Sequence, residues 1–364
     1  MHILWVFAWL VVGGEETEVR LLATHLPRDR YRLTVIPCFR NPLMPAQTHD
    51  QLRQLGVTVD TTPYELSYED TIAYLARWIE RERPDVIVAS QGVPDIHLAL
   101  DLVASPPPLI EHGGIVREVT MTLKHHTTYY VGVCRTIRDA AALLLPPERA
   151  LEIPSMVDPA EFDPRQRQLV RQELGVDDDT LLVGWVGRLD PKKRVEDFIA
   201  LATLLAPREP RARFVIIGGP DAFFPEYAAQ LRAEVTAGGL DDRVRFLGDR
   251  ADVVRLLSGL DLLVWLACGE GMPHVISEAG LAALPVVATR DNGTIEQIED
   301  GVSGVFVPYH DPVTAATVVY NLLADASERQ RLGQALAASV RQQFSVEVVV
   351  PQWQALFEHL LDAP

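Results

Sequence analysis

Two successive α/β halves, each built on a doubly wound parallel sheet, are the fold class this 364-residue sequence predicts. Three observations predict it. Short apolar runs alternate with longer stretches of helical period along the chain, the order of strand, crossover helix and parallel strand. The second half alone holds six such runs with their connecting helices, enough for a complete sheet. At roughly 100–200 residues per domain, the length accommodates two such units.

The elements follow in order. Ile3–Ala8 is the first strand, within an apolar run Ile3–Val12. That run is shorter than the about 20 residues a bilayer span needs. Only His2 precedes it, where a secretory signal carries positive charge. Gly13-Gly14 turns the chain into a helix over Glu16–Leu26, with Val19, Leu22, Ala23 and Leu26 on one face. Arg32–Pro37 is the next strand, followed by helices over Asp50–Leu55 and Ser67–Arg83, and by strands at Pro84–Ala89, Pro108–Glu111 and Tyr129–Cys134. The second half places strands at Leu181–Gly187, Ala212–Gly218, Val244–Leu247, Asp261–Leu266, Pro285–Thr289 and Gly304–Val307. Its helix Val195–Ala206 carries Val195, Phe198, Ile199, Ala202 and Leu205 at helical spacing. Pro159, Pro164 and several charges mark the segment between the halves. The expected division is a first domain over 1–155, a linker over 156–178, a second domain over 179–345 and a final helix within 346–364.

Composition narrows the function. Apolar residues make up 48% and charged residues 23%, near the globular average, so disorder and small disulfide scaffolds are excluded. Against 33 Lys and Arg stand 50 Asp and Glu, a formal charge of −17 that argues against a nucleic-acid binder. A phosphate ligand is compatible with it, because a few local cations suffice. Cys38, Cys134 and Cys268 lie in unrelated contexts without a CxxC or Cys/His cluster, so neither a zinc site nor a disulfide framework is expected. Reduced thiols in a cytoplasmic protein fit that usage.

Four segments carry chemistry, each at the end of an expected strand. Gly269-Glu270-Gly271-Met272-Pro273-His274 leads into a helix, with Pro273 suited to its first position. The backbone N–H groups of Gly271, Met272, His274 and Val275 then make an anion site. Glu270 and Glu278, eight residues apart, bracket that start. Carboxylates beside a phosphate suit a ligand that also offers sugar hydroxyls, although dipole capping and surface solvation account for each acid taken alone. Gly187–Arg194 holds Arg188, Lys192, Lys193 and Arg194, a guanidinium fork and point charges fit for phosphate oxygens. Gly13-Gly14-Glu15-Glu16 is a glycine turn that lets a ligand approach the backbone, without GxGxxG spacing. Glu111-His112-Gly113-Gly114 sets an imidazole at a strand end, whereas His125 and His126 lack such placement.

Together these residues resemble the retaining glycosyltransferases of the GT-B fold, family 4. The GGxE turn corresponds to Gly13-Gly14-Glu15-Glu16, the GRxxxxK loop to Arg188 and Lys193, and the E-x7-E motif to Glu270 and Glu278. The likeness extends over Pro285–Thr289, Asn292-Gly293 with Glu296, and Gly301–Val307. It implies two Rossmann-like domains facing across a cleft, the second binding a nucleotide-diphosphate sugar and the first an acceptor. By resemblance, Arg188 and Lys193 neutralise the diphosphate and Glu278 takes the ribose hydroxyls. Glu270, with the backbone of Gly271, Met272 and Pro273, faces the transferred sugar. Gly13 and Gly14 approach the donor phosphates, His112 lies near the reacting sugar, and the loop through Gly248 borders the base. The catalytic set is then Glu270, His112, Arg188 and Lys193. No metal or other cofactor is implied, and neither candidate donor loop has a DxD cluster.

Some positions depart from the family pattern. The hinge reads Pro154-Ser155-Met156-Val157-Asp158 where P-N-G-V-D is usual, and Ala283 stands where glycine is usual, which reads as a packing change. Glu111 before His112 would raise the imidazole's pKa if the two side chains meet. His274 occupies a variable position, where it would report on the donor sugar. Two other readings stand beside transfer: a sugar-nucleotide 2-epimerase, and a non-catalytic sugar-nucleotide-binding relative. Residues 1–165 hold 15 basic and 22 acidic side chains, a balance of −7 that argues against strong electrostatic docking to an anionic membrane. The expected setting is cytoplasmic, with any membrane association peripheral. The acceptor, whether sugar, small molecule or lipid-linked, is not specified by these residues.

Overall fold

The computed structural model describes residues 1–362. They divide into two compact units: Met1–Met156 together with the chain from Val346, and Val157–Ser345.

The first unit contains β1 (His2–Trp9), β2 (Arg32–Phe39), β3 (Thr58–Val59), β4 (Val86–Ser90), β5 (Leu109–Gly113), β6 (Thr127–Gly132) and β7 (Ala150–Glu152). They form one parallel sheet in the order β3-β2-β1-β4-β5-β6-β7. Side chains alternate across a strand, and β1 shows the result. Ile3, Trp5 and Phe7 enter one core, while Leu4 and Val6 enter the other. Such a strand, buried on both faces, reads as a continuous apolar run. Helices α1 (Gly14–His25), α2 (Gln47–Gln54), α3 (Tyr68–Glu82), α4 (Pro94–Leu100) and α5 (Arg135–Ala141) connect the strands. Ser67 caps α3 by accepting the Asp70 N–H at 3.1 Å.

The second unit holds α6 (Gln166–Glu173), β8 (Leu181–Val186), α7 (Val195–Leu205), β9 (Ala212–Ile217), α8 (Tyr227–Ala237), β10 (Val244–Gly248), α9 (Val253–Leu257) and β11 (Leu262–Trp265). It continues through α10 (His274–Leu281), β12 (Val286–Thr289), α11 (Thr294–Gln297), β13 (Val305–Val307), α12 (Pro312–Ala324) and α13 (Ala326–Gln343). Its parallel sheet runs β10-β9-β8-β11-β12-β13, a doubly wound order. Residues 157–178 pack within this unit: buried Arg171 of α6 donates to the Gly259 carbonyl and to Asp261, both at 3.1 Å.

The last helix, α14 (Val346–Asp362), belongs to the first unit, where Trp353 and Phe357 share a core with Trp5 and Phe7. Among the described residues no helix is long and apolar enough to cross a membrane.

Several boundaries differ from expectation, for local reasons. Helix α1 starts at Gly14, two residues earlier than Glu16, because Gly13 serves as its extended N-cap. Strand β6 covers Thr127–Gly132 rather than Tyr129–Cys134, and Cys134 instead caps α5. Ala283 is a backbone matter and not one of packing. Its φ of +49° is left-handed, and the Leu284 N–H bonds the Ala279 carbonyl at 2.9 Å. That is the helix-ending turn in which glycine ordinarily stands.

Candidate functional site

Strands β8 and β11 are neighbours where the order of the second sheet reverses, and ligands of doubly wound sheets bind beyond such strand ends. Strand β8 runs into Gly187–Arg194, and β11 into the segment ending at Pro273. The ends of β8, β9 and β10 approach one another through glycine. Gly218, at φ +144°, donates to the Gly248 carbonyl at 2.9 Å, and a Cβ on it would collide with the Gly187 carbonyl.

Lys193 closes a single turn, Pro191–Lys193, in which the Asp190 side chain accepts the Lys192 N–H at 2.9 Å. The Lys193 ammonium forms an ion pair with the Glu270 carboxylate and lies 5.0 Å from the centre of the Trp265 ring. Both charged side chains are largely withdrawn from water, 15% and 12% exposed. The Cys268 N–H donates to the Lys192 carbonyl at 2.9 Å, so the two loops are also joined by backbone.

Glu270 is held from its other side by the loop after β12. Its N–H donates to Asp291 at 2.7 Å, and the Asn292 side-chain amide donates to its carbonyl at 2.6 Å. The Gly293 N–H donates to the Gly271 carbonyl at 2.6 Å. A side chain at Gly293 would overlap that carbonyl and stand 2.7 Å from Met272 Cα, so the position demands glycine. Gly271, Met272 and Pro273 are buried, and Glu278 is half-buried on α10. Pro273 is the N-cap of α10 and not its first helical residue, since its ψ of 121° is extended. His274 and Val275 therefore lead the helix, and helix geometry leaves such first-turn N–H groups without intrahelical acceptors. Gln297 fixes this start, donating to the Pro273 carbonyl at 3.0 Å and to the Ser277 hydroxyl at 2.8 Å.

Arg188 forms an ion pair with Asp221, a residue 2% exposed beyond β9. Arg194 is turned onto α7, at 2.7 Å from Glu196 and 2.9 Å from Asp197. Of the four cations in this loop, Lys193 is thus the one paired to Glu270, with Arg188 anchored alongside by a third strand end.

In the first unit, the Gly13-Gly14 turn follows β1. A Cβ on Gly13 would lie 2.5 Å from a carboxylate oxygen of Glu16. Buried Glu16 accepts the Val11 N–H at 3.3 Å and the Gln91 amide at 3.0 Å. Gly14 is exposed. Glu15 lies beside Glu118 and Glu16, and burial first, then those neighbouring carboxylates, push its pKa well above the usual range. His112 ends β5 as a buried ring, its Nδ1 3.3 Å from the Ser90 hydroxyl and 3.9 Å from a Glu15 oxygen. The ring meets Trp5 at 5.9 Å and Trp353 at 5.5 Å.

Glu111 and His112 do not meet, because consecutive strand residues point to opposite faces. The Glu111 carboxylate accepts from Lys124 at 2.7 Å and from the hydroxyls of Thr122, at 2.6 Å, and Thr127. Burial opposes its charge, yet His97, Lys124 and Thr122 together hold its pKa down to about 2. Sequence reasoning missed Asp221, Asp291, Ser90 and Gln91. Asp291 directly precedes the Asn292-Gly293 pair and was within reach; the others come from separate strand ends and carry no local signal.

Residues 166–338 match the family described as glycosyl transferases group 1. The second unit matches the group 1 glycosyltransferases. A D-inositol 3-phosphate glycosyltransferase of Stackebrandtia nassauensis is 33% identical over 195 residues, 51% of this chain and 43% of that one. An N-acetyl-alpha-D-glucosaminyl L-malate synthase of Bacillus anthracis is 25% identical over 292 residues, 79% of this chain and 71% of that one. The chain spans about half the length of the inositol 3-phosphate glycosyltransferases it matches, from 43% to 52% in four of them. In fold, it superposes on Anabaena HepE in complex with UDP and glucose with a TM-score of 0.85, covering 98% of this chain and 99% of that one at 22% identity. Sucrose-phosphate synthase of Thermosynechococcus elongatus gives 0.79 at 17% identity, covering 100% of both chains. The group 1 glycosyltransferase likeness and the two doubly wound sheets place the chain in the GT-B fold.

Proposed function

We propose that this protein is a retaining glycosyltransferase that moves a sugar from a nucleotide-diphosphate sugar to an acceptor hydroxyl without a catalytic metal. The observation that carries the reading is the Lys193–Glu270 ion pair, which joins the basic loop after β8 to the acidic loop before α10. A cation and a carboxylate side by side beside a helix start suit a ligand of two characters. The diphosphate is met by Lys193, Arg188 and the first N–H groups of α10, while sugar hydroxyls are met by Glu270 and, at the ribose, by Glu278.

Catalysis then comes chiefly from stabilising the departing diphosphate with groups already in place. Glu270 positions the sugar and balances charge on it. The loop at Gly248 borders the base, and HepE, with its bound UDP, supports a uridine donor. In this reading the first unit takes the acceptor, His112 serves the reacting sugar, and the Gly13-Gly14 turn serves the donor phosphates.

The test is thermal unfolding with UDP, GDP and ADP, followed by transfer assays in EDTA. At 100 times the dissociation constant, the matching nucleotide stabilises by about 2.7 kcal/mol. No shift with any of the three would overturn the donor assignment, and transfer abolished by EDTA at the donor site would overturn the metal-independent step.

A further inference from the structure

Behind β5, on the face opposite His112, a second group of titratable side chains converges. The turn Lys124–Thr127 is closed by the Thr127 N–H on the Lys124 carbonyl at 3.1 Å, with Lys124 left-handed at φ +61°. Both ends of this turn are fixed to Glu111, through the Lys124 ammonium and the Thr127 hydroxyl. Its two central residues are His125 and His126. Their Nε2 atoms reach the same oxygen of Asp101, at 3.0 and 2.8 Å.

Asp101 ends α4, and its N–H donates to the carbonyl of His97 one turn earlier at 3.0 Å. His97 is buried, with Nε2 3.4 Å from Glu111 and no hydrogen-bond partner at Nδ1. Its ring centre stands 5.1 Å from that of His125 and 6.0 Å from that of His126, whose own centres are 4.4 Å apart. Three imidazoles and a carboxylate thus share one corner of the first unit.

We propose that Asp101, His125 and His126 form a binding site for a divalent transition-metal ion of the zinc class. Their three donor atoms lie within 4.8 Å of one another. A tetrahedral zinc with bonds of about 2.0–2.1 Å holds its ligand atoms about 3.3 Å apart, within reach of side-chain adjustment alone. Two imidazoles with one carboxylate select zinc, cobalt, nickel or copper, whereas magnesium and calcium prefer all-oxygen sets. On binding, each ring presents the Nε2 lone pair and carries its proton on Nδ1. The side chains of Asp101, His125 and His126 are 47%, 40% and 21% exposed, which gives the ion a route from solvent and a position for water. The doubly anchored turn is what distinguishes this set from a chance surface histidine pair, because Glu111 fixes the backbone from which both rings project. A bound ion ties the end of α4 to the turn before β6, next to the strand that bears His112. This site is built from residues of the first unit alone and does not depend on the proposed transfer reaction.

The experiment uses tag-free, chelator-stripped protein titrated with Zn²⁺ against a chromophoric competitor. One equivalent is expected to bind, unaffected by excess Mg²⁺. His125→Gln/His126→Gln is expected to weaken binding on the order of 100-fold, since even outer-shell partners are worth 10–100-fold. Asp101→Asn, at an exposed position, gives a second test with less effect on folding, and His310→Gln in the other unit leaves binding unchanged. Co²⁺ in place of Zn²⁺ is expected to give the visible absorption of a tetrahedral site, lost in the double variant. Wild-type binding no tighter than that of the double variant, or one-equivalent binding that both variants retain, would overturn the proposal.

Discussion

Lys193→Ala separates the two roles given to the Lys193–Glu270 pair. Both side chains are largely buried, so truncating the lysine removes a phosphate counter-charge and leaves a carboxylate beside the diphosphate without its cation. Losing one prepositioned donor to developing charge costs about 2.7–4 kcal/mol, or roughly 10²–10³ in kcat/KM. Part of that loss is the penalty of the uncompensated carboxylate rather than the worth of the lysine. Glu270→Gln in the Lys193→Ala background should therefore restore some affinity for the nucleoside diphosphate. A coupling of at least about 1 kcal/mol, roughly fivefold in Kd, is the expected size for charged residues in contact. Calorimetric titration of the four proteins with UDP measures it, and transfer rates need not recover because Glu270 also positions the sugar. Effects that add within about 0.5 kcal/mol would show that the two residues act independently, and an unchanged Kd for Lys193→Ala would remove the lysine from the phosphate site.

Gly293→Ala forces a methyl onto the Gly271 carbonyl, and is expected to cost about 1–3 kcal/mol and to weaken nucleotide binding, read by thermal unfolding and titration. Lys124→Met strips the cation from a pair whose side chains are each 5% exposed. It should cost about 3–5 kcal/mol, whereas Glu111→Gln/Lys124→Met should cost less, as denaturant unfolding of the variants would show. Glu111 also predicts an acid response. Its folded pKa, about 2 against an ordinary 4.5, gives a stabilisation of about 3 kcal/mol that is complete above pH 4.5 and lost as pH falls toward 2. Glu111→Gln should flatten stability over that window. Ala283→Gly relieves a left-handed alanine and should stabilise by about 1 kcal/mol, measured as a raised melting temperature.

What could be read from the chain beforehand follows from how each part is built. Strands β1, β8 and β11 announce themselves because a parallel strand covered on both faces must be apolar throughout. Strands β3 and β7, of two and three residues at the sheet edges, bury too little to leave a pattern. The loops around Arg188, Lys193 and Glu270 were legible because glycine and charge interrupt apolar strands there. Asp221 was not, since its partnership with Arg188 is made across strands 33 residues apart in the chain. The separation of Glu111 from His112 was legible in principle, as strand alternation alone forbids adjacent residues from sharing a face. His125 and His126 have no placement in sequence terms, and acquire one only when α4 brings Asp101 to the turn that carries them.

The membership of α14 in the first unit has a consequence for how the protein is made. Its Trp353 ring packs 5.7 Å from Trp5, on strand β1, which leaves the ribosome before the second unit does, and 5.5 Å from His112. The second unit is continuous in the chain and can close as soon as its own residues have emerged. The sheet begun by β1 must wait, with Trp5 and Phe7 uncovered, until the whole second unit has been synthesised and α14 follows it. Order of synthesis and order of completion are thus inverted between the two units, and the wall behind His112 is closed only after the second unit has been made.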